Sequence, residues 1–229
     1  MNYEILDFPI NSLLKVQLKK GESVLAEAGS MMYMKNKIST SQQKTDKVSY
    51  TSLHHYAAYQ QNEKTEFISD SDNGEVVFSP SSPGKILHFE LHDSSICSDG
   101  LSFLCCSSGL KFEQKGTIEG LLSGAGMCVE TFSGTGDIFL KCFGDFMSIN
   151  LEENETIAID AGHLLAHDES VSSSILSSSD GRFDQFAEGE ILVGEFKGPG
   201  KVWLQTRNRS EFAKVIQTYL PKKKISSMP

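Results

Sequence analysis

The sequence predicts an all-β fold made of three tandem, diverged copies of one strand-rich unit of roughly 60 to 70 residues, closed by a short C-terminal helix. Three observations carry this. Apolar and polar residues alternate with the two-residue period of a strand from the first segments onward. A 14-residue stretch returns without a gap at an offset of 133 residues, and a glycine-led strand start returns at intervals of 62 and 64 residues.

The alternation is plainest in LLKVQLKKGESVLAEAG (13–29), where Leu14, Val16 and Leu18 share one face and Lys15, Gln17 and Lys19 the other. Lys20-Gly21 makes a turn, a second strand runs to Gly29, and the apolar run 31–34 follows. The same order returns when VQLKKGESVLAEAG (16–29) is laid over INLEENETIAIDAG (149–162), with Leu18/Leu151, Glu22/Glu155, Ala28/Ala161 and Gly29/Gly162 identical. FELHDSSICSDG (89–100) supplies a weaker middle copy after a one-residue adjustment.

The second recurring element is NGEVVF (73–78), TGDIFL (135–140) and PGKVWL (199–204), each a glycine, one charged residue and the start of an apolar strand. Gly74, Gly136 and Gly200 set its period, and FSGTG (132–136) and FKGPG (196–200) read as hairpin turns. No Gly-Lys-Ser/Thr follows either one, so neither is a phosphate loop. One domain spanning 1–229 is expected, with pseudo-repeats at about 1–80, 81–142 and 143–220 and a basic tail at 221–229. The polar stretches 39–47, 69–74, 79–84 and 170–180 read as surface loops. The helix comes last: Ser210 caps it, and Phe212, Val215, Ile216 and Tyr219 recur at helical spacing.

A net charge of −9 and a pI near 5.2 oppose a phosphate backbone, and the only basic run, Lys222 to Lys224, lies in the tail. Nucleic acid is therefore not an expected partner. The five cysteines, Cys97, Cys105, Cys106, Cys128 and Cys142, show no CxxC spacing, which points to buried thiols in a reducing compartment. The first residues lack a basic segment followed by an apolar one, and no 18-residue uncharged apolar run occurs, so a cytoplasmic location without an integral membrane segment is expected.

Candidate chemistry is sparse. His163, His167 and Asp168 form the nearest approach to a metal cluster, but the matching positions in the first copy are Ser30 and Met34, which favours a polar turn. Glu27, Asp99 and Asp160 stand before a turn in all three copies. A closed ring would repeat that carboxylate around its axis as a cation site, whereas the ordinary use of such a residue is to accept backbone N–H groups at the turn. Gly29, Gly74, Gly136, Gly162 and Gly200 are read as structural turn glycines. His54, His55, Tyr56 and Tyr59 have no interleaved basic residues, and His88 and His92 no partner at ligand spacing. With no GxSxG elbow and Cys105 inside an apolar strand, no catalytic residue, cofactor site or enzyme class is assigned.

Four segments, AEAGSMMYMKNKI (26–38), FSGTGDIFLK (132–141) with AIDAGHLLAHDESV (158–171), and FKGPGKVWLQTR (196–207), resemble the altered inheritance of mitochondria 24 family. That resemblance implies a β-sandwich like the tryptophan RNA-binding attenuation protein, a unit that builds rings by extending sheets between neighbours. Three fused units would let three chains close a pseudo-ninefold ring. At 51–70, TSLHHYAAYQQNEKTEFISD stands where family members carry a glycine-rich approach to the first ring-forming strand. The family brings no established enzymatic activity, and its mitochondrial member is linked to inner-membrane organisation. The expected function is thus a non-enzymatic assembly or scaffold protein, a ring-like homotrimer. The alternatives are a nucleic-acid-binding ring, by analogy of fold, and a small-molecule or metal enzyme using clefts between copies.

Overall fold

The alternation at the start of the chain does what a half-buried strand requires: β2 (Ser12–Leu18) buries Ser12, Leu14, Val16 and Leu18 and leaves the residues between them half-buried or exposed. A computed structural model describes residues 1–43, 64–115, 129–176 and 193–220. His54, His55, Tyr56, Tyr59, Cys128, the lysines of the tail and most of 51–70 lie outside the described residues.

The first third of the chain comprises β1 (Asn2–Asp7), β2, β3 (Ser23–Glu27), β4 (Met31–Lys35), β5 (Ile38–Gln43), β6 (Lys64–Ser69) and β7 (Gly74–Phe78). The middle comprises β8 (Ile86–Asp99), β9 (Phe103–Ser107), β10 (Lys111–Lys115) and β11 (Val129–Lys141). The last comprises β12 (Phe146–Leu151), β13 (Thr156–Asp160), β14 (Leu164–Asp168), β15 (Ser172–Ile175), β16 (Val193–Lys197) and β17 (Gly200–Gln205), followed by helix α1 (Arg209–Tyr219). All the strand ladders are antiparallel, as an all-β fold with short connections demands.

Each third makes the same four ladders. In the first, β2, β7 and β4 form one layer and β3, β6 and β5 the other. In the last, β12, β17 and β14 face β13, β16 and β15. In the middle, two long strands do double duty. The first half of β8 (86–91) pairs the second half of β11 (136–141), which pairs β9, while 94–99 pairs 129–134 and β10 lies beyond. Two further ladders tie the thirds together, β3 to β9 and the second half of β8 to β14.

Three apolar clusters fill the layers. Leu14, Val16, Val24, Phe67, Val76 and Phe78 anchor the first, Ile96, Phe103, Phe132, Ile138 and Leu140 the second, and Leu151, Ile159, Leu164, Phe196 and Val202 the third. A phenylalanine of the strand opposite β3, β8 or β13 lies in each: Phe67, Phe132 and Phe196, all buried.

Several expectations from the sequence are corrected, and the first concerns loops: within the stretches 39–47 and 170–180, residues 39–43 belong to β5 and 172–175 to β15. FSGTG is not a hairpin turn: it lies inside β11, where the register shifts between Gly134 and Gly136 as the strand passes from one layer to the other. FKGPG likewise joins β16 to β17, strands that belong to different sheets. The glycines serve packing there, since a Cβ on Gly74, Gly136 or Gly200 would come within 2.3 Å of Ser69 Oγ, 2.8 Å of Ser107 Cβ or 2.6 Å of Ser170 Oγ. The identical pair Gly29/Gly162 splits by cause: Gly29 is left-handed at φ +82°, whereas a Cβ on Gly162 would meet Asn208 at 2.3 Å. The helix cap also moves. The helix begins at Arg209, before Ser210, and Asn208 stands ahead of its first turn, its Oδ1 accepting from the Glu211 N–H at 3.2 Å. No helix among the described residues is long and apolar enough to cross a membrane.

Candidate functional site

Strands β4, β9 and β14 occupy the same place in their thirds. Met31, Phe103 and Leu164 stand opposite Phe78, Leu140 and Leu204, and the register shifts at the next residue in every case, Met32, Leu104 and Leu165. Their surroundings differ sharply. Phe103 to Cys106 and Leu164 to His167 are buried, whereas Met31, Met32, Tyr33 and Met34 are 39, 59, 37 and 43% exposed. The cause is the neighbour: β9 and β14 are flanked on both sides, while β4 pairs β7 alone among the described residues. An apolar strand with a bare row of N–H and C=O groups is a template for another strand.

The complementary edge is β13. Its counterparts β3 and the second half of β8 each carry a strand on both sides, but β13 pairs only β16 among the described residues. Ala158 is exposed, while Leu25 and Cys97, at the same place in β3 and β8, are buried.

The carboxylates at the ends of these strands are occupied. Glu27 binds the Lys141 ammonium across the first junction, and one of its oxygens is buried without a hydrogen bond. Asp99 accepts from Arg209 Nη1 at 2.6 Å and from Ser102 Oγ at 3.1 Å. Asp160 accepts from the Gly162 N–H at 2.9 Å and from Asn208 Nδ2 at 3.0 Å. Burial pushes the Lys141 pKa down against the pull of Glu27. A second buried pair, Lys64 and Glu130, joins the first third to the middle. The Lys64 ammonium sits over the rings of Phe112, Phe103 and Phe132 at 3.9, 4.9 and 5.8 Å, and burial raises the Glu130 carboxyl despite the lysine beside it.

The histidine cluster does not assemble. His163 lies in a 3₁₀ turn and donates from Nδ1 to the Gln205 carbonyl at 2.8 Å. His167 is buried in β14, donates from Nδ1 to the Asp168 carbonyl at 2.8 Å, and packs edge-on to Phe196. Burial lowers its pKa, which keeps it neutral and leaves Nε2 a buried acceptor without a donor. The Asp168 carboxylate accepts from the Lys201 N–H at 2.7 Å. Among the described residues no three His, Cys, Asp or Glu side chains gather as metal ligands would.

One group escaped the sequence reading. His88 Nε2 lies 2.8 Å from Asp137 Oδ1, and its Nδ1 lies 3.1 Å from the Tyr3 hydroxyl. The carboxylate accepts from Nε2–H, so Nδ1 accepts from the phenol. The ring also stacks on Phe139 at 4.8 Å. The signal that finds it is the ladder of β8 with β11, which sets His88 opposite Phe139 and Asp137 two residues away on the same face. The row does not prepare a nucleophile: burial, then Asp137 and Glu90, raise the Tyr3 pKa and keep the phenol protonated. The buried thiols are no better, with Cys106 and Cys142 pushed up to about 12.

A family model described as mitochondrial biogenesis AIM24 matches residues 3–207. An uncharacterized protein of Streptococcus pyogenes serotype M6 is 26% identical over 225 residues, covering 94% of this chain and 88% of that protein. The crystal structure of a Streptococcus pyogenes protein superposes with a TM-score of 0.76 at 23% identity, covering 96% of this chain and 99% of that one, a likeness of fold.

Proposed function

The chain belongs to the mitochondrial biogenesis AIM24 family, and on that premise we propose that it is a non-enzymatic assembly subunit. Three diverged copies of one sandwich unit are fused in it, and three chains close a homotrimeric ring whose rim and faces bind partners in a reducing, cytoplasmic compartment. The observation that carries the reading is β4, as apolar as β9 and β14 yet, among the described residues, bare on the side where they are paired. Covering four half-exposed apolar side chains gains on the order of 1 kcal/mol each, and pairing the strand satisfies its backbone. The four cysteines among the described residues are unpaired and buried, which suits that compartment.

Native mass spectrometry tests the assembly. A dominant species near three times 25.2 kDa is the expected result, and a monomer at micromolar concentration overturns the ring.

A further inference from the structure

Resting on that reading, we infer the register in which the ring closes: β13 of one copy lies antiparallel against β4 of the next, with Ile157 opposite Lys35, Ala158 opposite Met34 and Ile159 opposite Tyr33. The occupant of the bare edge is a second copy of this chain, because the chain already builds this joint twice within itself.

The two internal joints fix the rule. Val24, Leu25 and Ala26 of β3 face Ser107, Cys106 and Cys105 of β9. Ile96, Cys97 and Ser98 of β8 face Asp168, His167 and Ala166 of β14. The ladders to the central phenylalanines place Val24, Ile96 and Ile157 at one level, opposite Phe67, Phe132 and Phe196. The shared shift at Met32, Leu104 and Leu165 places Lys35, Ser107 and Asp168 at one level on the other side. Only one register therefore makes the third joint like the first two.

Side-chain size agrees. The middle pair of each internal joint sets a larger side chain against a smaller one, Leu25 against Cys106 and His167 against Cys97. Met34 against Ala158 continues that pattern, and both are exposed until a partner arrives. The inferred slip of zero also leaves the alternation of both strands intact, whereas a slip of one residue turns every side chain to the wrong face.

The test is a pair of cysteines in the full chain, Ala158→Cys with Met34→Cys, oxidised and run under denaturing, non-reducing conditions. Thr156→Cys with Met34→Cys serves as a two-residue slip on the same face. The expected result is a covalent ladder up to the trimer for the first pair, at least tenfold more than for the second or for either single variant. A native trimer that cross-links equally or better through Thr156 overturns the register while the ring stands. A trimer that cross-links through neither pair rejects β4 and β13 as the joint. A monomer by native mass spectrometry, cross-linking at background, removes the ring itself.

Discussion

Strands β4 and β9 hold the same place in their thirds, are nearly equally apolar, and share the same ladder and the same register shift, yet one is exposed along its length and the other is buried. The difference lies in neither strand. It lies in whether the chain supplies the next neighbour, which it does for β9 and β14 and does not for β4 among the described residues. Burial is thus a property of the joint, and an apolar strand without one marks an interface.

The sharpest way to break the comparison is to place the same charge on both strands. Cys106→Lys puts an ammonium in a fully buried position and is expected to cost about 4 kcal/mol or more in urea denaturation. Met34→Lys, at the matching position of β4, is expected to leave the stability of the isolated chain within about 0.5 kcal/mol. It should weaken association by about 100-fold or more, as read by sedimentation. Equal destabilisation of the isolated chain by both would mean that β4 is already covered within one copy.

A smaller effect sharpens the contrast between joints. Lys141 locks the first joint through Glu27, and the matching position after β7 is Ser79, while Asp160 is engaged by its own chain. In the proposed ring the joint between copies would therefore lack that cross-strand ion pair. Ser79→Lys is expected to slow exchange of copies about fivefold, a gain of roughly 1 kcal/mol. Mixing isotope-labelled and unlabelled protein measures it, and an unchanged rate refutes the missing lock.

The smallest effect concerns acid. His167 has a folded-state pKa below its unfolded value near 6.5, so the unfolded chain gains its proton first as pH falls. Its cost to stability is absent above about pH 7 and grows as pH drops from 7 toward 5. His167→Met, which takes the residue found at the matching place in β4, is expected to flatten that decline by up to about 1 kcal/mol. The difference between the two proteins isolates this group, because Glu130, whose raised pKa acts in the opposite direction, is common to both. Parallel pH profiles would show that His167 titrates as it does in the unfolded chain.

Much of the fold was legible. Period-two alternation marks β2, and Glu27, Asp99 and Asp160, which the matched segments set before turns, are the last residues of β3, β8 and β13. What escaped is what depends on partners distant in sequence. FSGTG has the composition of a turn, and only the long ladder of β8 with β11 shows it to be a bend within one strand. His88 and Asp137 are 49 residues apart and meet through strand register. MMYM reads as an apolar run, and nothing local tells Met34 from Cys106; the edge left bare among the described residues becomes visible only when the neighbours are counted.

The joints between thirds are short. The ladders of β3 with β9 and of β8 with β14 each register three residue pairs, against twelve between β8 and β11. Tension along the row of sandwiches would therefore shear those three-pair ladders long before it disturbed the middle unit. Within one chain a sheared ladder remains tethered by the backbone and closes again at high local concentration. In the proposed ring, a joint of the same length between two copies would have no such tether, so under load it would be the fuse.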